Sequence, residues 1–307
     1  MSYRCIYIRS ADKIRLKDNN LLVLNDEREV TVPLEDISMI LIEDPKALLT
    51  VRLVASLSSY YIGLILCDEK RNPISITLPL HMHYKQLHVF EMQLKVKKPL
   101  NSQLWSYIVK RKIQNQRKVI EFTTVDEFAI RNLINLEHEV KSADKTNREG
   151  IAAKIFFDGI YGKYFVRKQS ADDEINSALN YGYTIFAANM SRVLAMYGFN
   201  TILGIHHCSM TNNFNLSYDL LEPFRPIIDQ YVYHHLDELA YPLPKDIRIG
   251  LIGLLQSPIR INDKIYRIEN AMEEMVLSYI QVLEKEDSRC LALPFLVENE
   301  SNNEVEL

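Results

Sequence analysis

The chain has 307 residues, 47% of them hydrophobic and 25% charged, with 36 basic and 40 acidic side chains and a formal charge of −4. A chain of this size and composition can bury a sizeable core, which excludes wholesale disorder and allows about two domains. The charge balance excludes a uniformly basic nucleic-acid binder, and no run of about 18 uncharged apolar residues supplies a membrane span.

Over the first 80 residues, short segments with apolar content recur: Arg4–Ile8, Lys13–Lys17, Leu21–Leu24, Val30–Val32, Met39–Ile42, Gly63–Cys67 and Ile74–Leu78. Turn residues such as Lys17-Asp18-Asn19-Asn20 and Asn25-Asp26 separate them, which predicts a small sandwich or barrel-like β domain. Thr50 is placed to cap one helix there, with Leu53, Leu57 and Tyr60 or Tyr61 on its inner face. A linker is expected over residues 81–99. Its histidines, His81, His83 and His88, invite a metal reading, but the spacing suits a linker better than a ligand set.

Beyond the linker the apolar period becomes helical. Leu100–Phe122, Val125–Ala143, Asn147–Phe157, Ile175–Met196, Asp219–Ala240 and Asn270–Glu284 are the expected helices. Only 9 glycines occur, in keeping with a helix-dominated chain. The fold class is therefore α+β, a β-sandwich-like domain over 1–80 followed by a larger all-α domain over 100–295. Residues 296–307 form a polar, acidic tail expected to fray. Cys5, Cys67, Cys208 and Cys290 are scattered with no C-x-x-C pair, and Met1–Cys5 carries no signal-peptide h-region. Both features are expected of a reduced, cytoplasmic protein.

The overall charge hides two opposite regions. Residues 85–118 carry nine basic side chains against Glu91 alone, a net of +8, while 284–307 carry seven acids against Lys285 and Arg289, a net of −5. A basic helical segment neutralises phosphates and releases counterions, although such runs are commonly just solvated helix faces. Lys110, Arg111 and Lys112 are the candidate DNA contacts in it. Tyr84, Phe90, Trp105 and Tyr107 interleave with the charge as candidates to stack on bases, with core packing the equal alternative for Trp105 and Tyr107.

The strongest local signal is Gly204-Ile205-His206-His207 followed by Asn215-Leu216-Ser217-Tyr218-Asp219-Leu220-Leu221-Glu222-Pro223-Phe224-Arg225-Pro226. Asn215 or Ser217 is the expected N-cap, and the prolines bend the helix behind it. Asp219 and Glu222, three apart, share a helical face, and a histidine with carboxylates is a donor set for Mn²⁺ or Mg²⁺. The competing reading is an acidic first turn that complements the helix dipole. Glu149 is a further carboxylate, in Asn147-Arg148-Glu149-Gly150, with Arg148 and Lys154 as phosphate-seeking neighbours. Its competing reading is a glutamate that caps its own helix.

Taken together these pieces resemble the CRISPR-associated spacer-acquisition integrases, the first of the two universal adaptation proteins (Cas-one), in their type II form. The resemblance runs through Ile8-x-x-x-x-Lys13-Ile14-Arg15-Leu16, Val32-Pro33-Leu34-Glu35-Asp36-Ile37, Leu49-Thr50 and Leu66-Cys67-Asp68 with Pro73. It continues through Leu104-Trp105, Lys112-Ile113-x-Asn115-Gln116, Glu149-Gly150, Leu179-Asn180-Tyr181-Gly182-Tyr183 and the two motifs from Gly204 and Asp219. It implies a divalent metal, Mg²⁺ or Mn²⁺, held by Glu149, His207 and Glu222. The family's Gly-x-x-His spacing falls on His207, with His206 the lesser candidate. Asp219 and Tyr181 are supporting positions, and Arg148 and Lys154 join the DNA contacts. The implied activity is insertion of short protospacer DNA into a CRISPR array by 3′-hydroxyl transesterification. The implied partners are double-stranded DNA, a second copy of the chain, and the small second adaptation protein, which bridges two dimers into a heterohexamer. In type II systems a DNA-end-binding ring protein and the RNA-guided effector nuclease are added, and no membrane is involved. The rival readings are a non-catalytic DNA-binding scaffold and a metal-dependent nucleotide phosphohydrolase.

Overall fold

The computed structural model describes residues 4–25, 28–79, 83–168 and 173–297. Its strands begin with β1 (Arg4–Ile8), β2 (Lys13–Lys17), β3 (Asn20–Asn25), β4 (Arg28–Pro33) and β5 (Ile37–Ile42). β6 (Leu48–Leu49), helix α1 (Val51–Ser59), β7 (Gly63–Cys67) and β8 (Pro73–Thr77) complete the N-terminal part. One sheet has the order β1-β5-β7-β8 and the other β4-β3-β2-β6. β1, β5 and β7 run parallel, while β8 returns antiparallel. All six residues of β5 are buried, five of them apolar, as expected of a central parallel strand covered on both faces. The β2–β3 hairpin turns at Asp18 and Asn19, both with positive φ, the conformation that short polar side chains tolerate best. Thr50 caps α1, its hydroxyl accepting from the Leu53 amide at 3.4 Å.

β5 divides its side chains between two cores. Ile40 and Ile42 pack with Ile14, Leu21, Leu53 and Leu57 between the sheets and α1. Met39 and Leu41 face the other way, into the large core of the helical part. The first sheet is thus covered on both faces, and polar ties reinforce the junction. Glu43, at the end of β5, accepts from Tyr7 at 2.7 Å and pairs with the buried Arg248 at 2.5 Å. Ser38 donates to Glu269 at 2.9 Å.

The helical part consists of α2 (Gln86–Lys95), α3 (Lys98–Phe122), α4 (Glu127–Glu139), α5 (Arg148–Tyr161) and α6 (Glu174–Met196), then α7 (Asn215–Leu221), α8 (Arg225–His234) and α9 (Lys245–Gly253). A hairpin of β9 (Pro258–Ile261) and β10 (Lys264–Arg267) precedes α10 (Ile268–Lys285). The α+β fold class is as the sequence predicts, with four differences. The supposed linker contains α2, which docks through Gln93: its amide donates to Asn200 O at 3.1 Å and its carbonyl accepts from Asn200 N at 2.9 Å. The single helix expected over Asp219–Ala240 is broken into α7, a 3₁₀ turn at Glu222–Phe224, and α8. Pro223 and Pro226 lack an amide hydrogen and their rings crowd the carbonyls four residues back, so the α-helical ladder cannot pass through them. α9 and the β9–β10 hairpin were not anticipated, although Asn262-Asp263, both with positive φ, is a legible hairpin turn. Finally, Leu296 is not part of a fraying tail: it is buried and its amide donates to Asn115 at 3.1 Å.

α3 and α6 form the centre of the large core. Fifteen of the 23 residues of α6 are buried, on all sides of the helix, which marks a helix enclosed by others. Gly182 on α6 permits this, because a Cβ there would come within 2.5 Å of Ile228 on α8. α3 buries Leu104, Trp105, Ile108 and Ile113, and with them the polar row Lys112, Asn115 and Gln116. Asn115 donates to Pro223 O at 2.7 Å and to Pro294 O at 3.1 Å, so the proline break is fastened directly onto α3. The neighbouring residue, Glu222, is thereby brought against Lys112.

Candidate active site

Three segments come together: the first turn of α5 and the 3₁₀ turn after α7 meet on Lys112 of α3, and the loop 204–207 brings His207 within electrostatic range of their glutamates. Asp219 shapes the loop. It is fully buried on α7, and its carboxylate accepts from the amides of Ile205 at 2.6 Å, His206 at 2.9 Å and His207 at 3.2 Å, and pairs with His207 Nδ1 at 2.5 Å. Gly204 makes this possible: a Cβ there would lie 2.2 Å from His207 O and 2.8 Å from Asp219 Oδ2. The imidazole of His206 stacks on Trp105 at 4.2 Å, whereas His207 meets that ring edge-on at 5.7 Å. The hydrogen bond that Asp219 accepts from the ring raises the His207 pKa above its ordinary value, and Glu222 and Glu149 add to the shift against the opposing effect of burial. With Nδ1 held by a carboxylate, Nε2 is the ring nitrogen left for a ligand or a phosphate.

Glu149 does not cap its own helix. Asn147, in left-handed backbone, accepts from Gly150 N at 3.2 Å, and Asp144 accepts from the amides of Arg148 and Glu149, both at 2.9 Å. With the helix end satisfied, the Glu149 carboxylate reaches across to Lys112 Nζ at 2.6 Å. Glu222 meets the same ammonium at 2.5 Å, and Arg225 pairs with its other oxygen at 3.0 Å. Glu222 is almost wholly buried. Burial drives its pKa up, but Arg225 and Lys112 together outweigh burial and hold it below the ordinary carboxylate value. Lys112 is opposed by burial and upheld by Glu149 and Glu222, with a net upward shift.

Two arginines and one aromatic side chain border this cluster. Tyr183 on α6 has the Arg225 guanidinium 4.8 Å and the Arg167 guanidinium 5.1 Å from its ring centre. Its hydroxyl donates to the buried Asp229, whose carboxyl burial pushes up to about 7. A cleft of about 570 Å³ bordered by His207, Tyr183, Arg167 and Arg225 opens on one side. A cavity of about 390 Å³ bordered by Lys112, Lys154, Asp158 and Asp229 lies on the other.

Glu149, Glu222, His207 and Asp219 thus share one site, although Asp219 orders a loop and does not stand beside Glu222 as a paired carboxylate. Neither Asn215 nor Ser217 is the N-cap. Asn215 is buried and donates to Ile202 O and Ser209 O, while Ser217 pairs with Ser191 at 2.8 Å. Tyr181 is remote from the cluster, buried against the sheet junction near Cys67 and Glu43. Tyr183, two residues on and overlooked in the sequence, points to the site. The +8 segment is not one solvated stripe, because α3 is a core helix. Lys112 lies inside the site, and Arg111 donates to Leu293 O at 3.3 Å and covers Phe295. Lys110 is half-buried, Arg148 pairs with Glu139 at 3.2 Å, and Lys154 is exposed and pairs with Asp158 at 3.1 Å. His83 lies between Tyr84 and Tyr197, and His81 falls outside the described residues.

The family model described as "CRISPR associated protein Cas1" matches residues 6–241. The chain belongs to the Cas1 family. It is 35% identical over 296 residues to the CRISPR-associated endonuclease Cas1 of Neisseria meningitidis serogroup C (strain 8013), covering 96% of each chain. Its fold is that of a casposase bound to integration product, with a TM-score of 0.75 over 94% of this chain and 92% of that one at 17% identity. A Cas6-RT-Cas1–Cas2 complex gives a TM-score of 0.78 at 17% identity, over 97% of this chain and 36% of that one. The donor set of this Cas1-family site, two glutamates and an imidazole oriented by a carboxylate, fits a divalent ion in charge and chemistry. In the present arrangement the glutamates are turned onto Lys112, and among the described residues no group of three or more His, Cys, Asp or Glu side chains is assembled to hold a metal. No helix among them is long and apolar enough to cross a membrane.

Proposed function

We propose that this Cas1-family protein is the metal-dependent integrase and endonuclease of CRISPR adaptation, joining a DNA 3′-hydroxyl to a backbone phosphate by transesterification. The observation that carries the reading is the meeting of Glu149, Glu222 and His207 beside a cleft bordered by Arg167 and Arg225. Glu149, His207 and Glu222 are the residues that would hold Mg²⁺ or Mn²⁺. The bound ion would polarise the phosphoryl oxygen and lower the pKa of the attacking hydroxyl.

The chain's own groups account for the rest. Arg225 is fixed between Glu222 and Tyr183, and Arg167 lies against the same ring, so both are oriented in advance for phosphate oxygens. Asp219 keeps the imidazole of His207 turned to the site. With water in place of the 3′-hydroxyl, the same site gives hydrolysis. Likeness to complexes that contain Cas2 and to a casposase on its integration product supports DNA and the small second adaptation protein as partners. Two joining events at opposite ends of a repeat require paired sites, which a homodimer provides, with two dimers bridged in a heterohexamer. The ring protein and effector nuclease of type II systems would act with it, in the cytoplasm.

Incubation of the protein with branched DNA, duplex DNA and free nucleotide, with and without Mn²⁺, tests the reading. Metal-dependent resolution of the branched DNA is expected, lost in Glu149→Ala and His207→Ala while both variants remain folded. Full activity in both variants overturns the site. Metal-independent binding without turnover points to a scaffold, and turnover of nucleotide alone to a phosphohydrolase.

A further inference from the structure

Lys112 is the least expected member of the site. It comes from the middle of a buried helix, its side chain is only 10% exposed, and its ammonium touches carboxylates from two other segments, Glu149 at 2.6 Å and Glu222 at 2.5 Å. We propose that Lys112 is a built-in counter-cation: its ammonium holds Glu149 and Glu222 together in the metal-free protein and is displaced when a divalent ion takes the two carboxylates. This inference rests on the reading of those glutamates as metal ligands.

The geometry makes joint occupancy unfavourable. Oxygen ligands hold Mg²⁺ or Mn²⁺ at about 2.1 Å, so an ion on both carboxylates would lie within about 5 Å of an ammonium touching the same groups. In a site with little water the repulsion between them is large. The charge balance points the same way. Lys112 and Arg225 already neutralise the two glutamates, so an added divalent ion would bring two further positive charges against carboxylates that are already paired.

Of the two cations, Lys112 is the one free to leave. Arg225 is held by Glu222 on one side and packed against Tyr183 and Tyr218. Lys112 has a flexible four-carbon stem and no ion pair besides the two glutamates among the described residues. It also borders the cavity of about 390 Å³, where Asp158 and Asp229 offer carboxyl groups and the space accommodates a swung ammonium. Displacement would turn a structural cation into one available to a DNA phosphate at the moment the metal is in place.

The experiment is amine footprinting of the wild-type protein with an acetylating reagent and peptide mass spectrometry, in EDTA and in Mn²⁺, with calorimetry of Mn²⁺ binding on the same preparation. The exposed Lys163 is the internal standard. Lys112 is expected to be protected in EDTA and to react at least about tenfold faster in Mn²⁺, as opening of a buried contact requires. Mn²⁺ binding that disappears in Glu149→Gln, with Lys112 equally protected in both conditions, overturns the displacement while leaving the metal site standing. No Mn²⁺ binding at all overturns the metal reading and the displacement with it. As a second readout, Lys112→Gln is expected to bind Mn²⁺ about tenfold more tightly or better, since the competing charge is gone, and unchanged affinity counts against the proposal.

Discussion

Replacing Asp219 by asparagine keeps the shape of the side chain and removes its charge, which isolates what that carboxylate does. One oxygen accepts from the amides of Ile205 and His206, and the other pairs with His207 Nδ1. An asparagine can present its carbonyl to only one of these groups, and its amide then faces donors on the other side. Hydrogen bonds to a charged partner contribute about 1.5–3 kcal/mol each, so losing one or two of them in a fully buried position should cost about 2–4 kcal/mol. Urea unfolding at neutral pH measures this directly, with an unchanged slope showing that the fold is intact. A second signature lies in the pH dependence. Because Asp219 raises the His207 pKa, the interaction contributes stability fully present below the ordinary imidazole value of 6.5 and lost as pH rises through the folded-state value. The Asp219→Asn variant should therefore show a flatter stability curve across that window, and its His207 ring resonance should titrate at lower pH. A loss below about 0.5 kcal/mol, together with parallel curves, would refute the role assigned to the carboxylate.

Gly204→Ala places a methyl group against His207 O and Asp219 Oδ2, and should displace the histidine loop and abolish DNA joining while thermal unfolding falls by the equivalent of about 1–3 kcal/mol; activity at the wild-type level would contradict the geometry. Arg248→Met leaves Glu43 buried beside a vanished partner and should cost about 3–5 kcal/mol, most of it recovered when Glu43→Leu is added, and a double-mutant cycle without coupling would disprove the junction's ion pair. Glu222, held below its ordinary pKa of 4.5, stabilises the fold above that value and loses its contribution as pH falls through the depressed one; Glu222→Gln should remove this acid-side slope, which chemical unfolding from neutral to acid pH will reveal. Asp229, pushed up to about 7 by burial, binds its proton more tightly when folded than when unfolded, so stability declines as pH rises from about 4 through 7. Asp229→Asn keeps an acceptor for the Tyr183 hydroxyl and should match the wild type in acid while exceeding it above pH 7, and equal stability at all pH values would count against the buried carboxyl.

Local structure was largely legible in the sequence because it depends on neighbours in the chain. The apolar run of β5, the Asp18-Asn19 turn, the Thr50 cap and the helical period of α3 and α6 are all short-range signals. So is the spacing of Gly204, His207, Asp219 and Glu222, all within 19 residues of chain. Tertiary structure decided what those residues face. Tyr181 and Tyr183, two residues apart, lie about 200° apart around α6 and so face opposite sides, but only packing decides that one side meets the sheet and the other the arginines. A run of basic residues reads as a solvated face until α3 proves to be enclosed, which turns Lys112 inward onto two carboxylates. Asp219 and Glu222 look equivalent along the chain, but the proline break separates them: one orders a loop, the other faces the site. The net charge of −4 is therefore an average over ion pairs whose partners lie as far apart in sequence as Lys112 and Glu222, 110 residues, or Arg248 and Glu43, 205 residues. Composition counts charges, and only packing decides which of them meet, because Coulomb attraction and desolvation act on distance in space and not on distance along the chain.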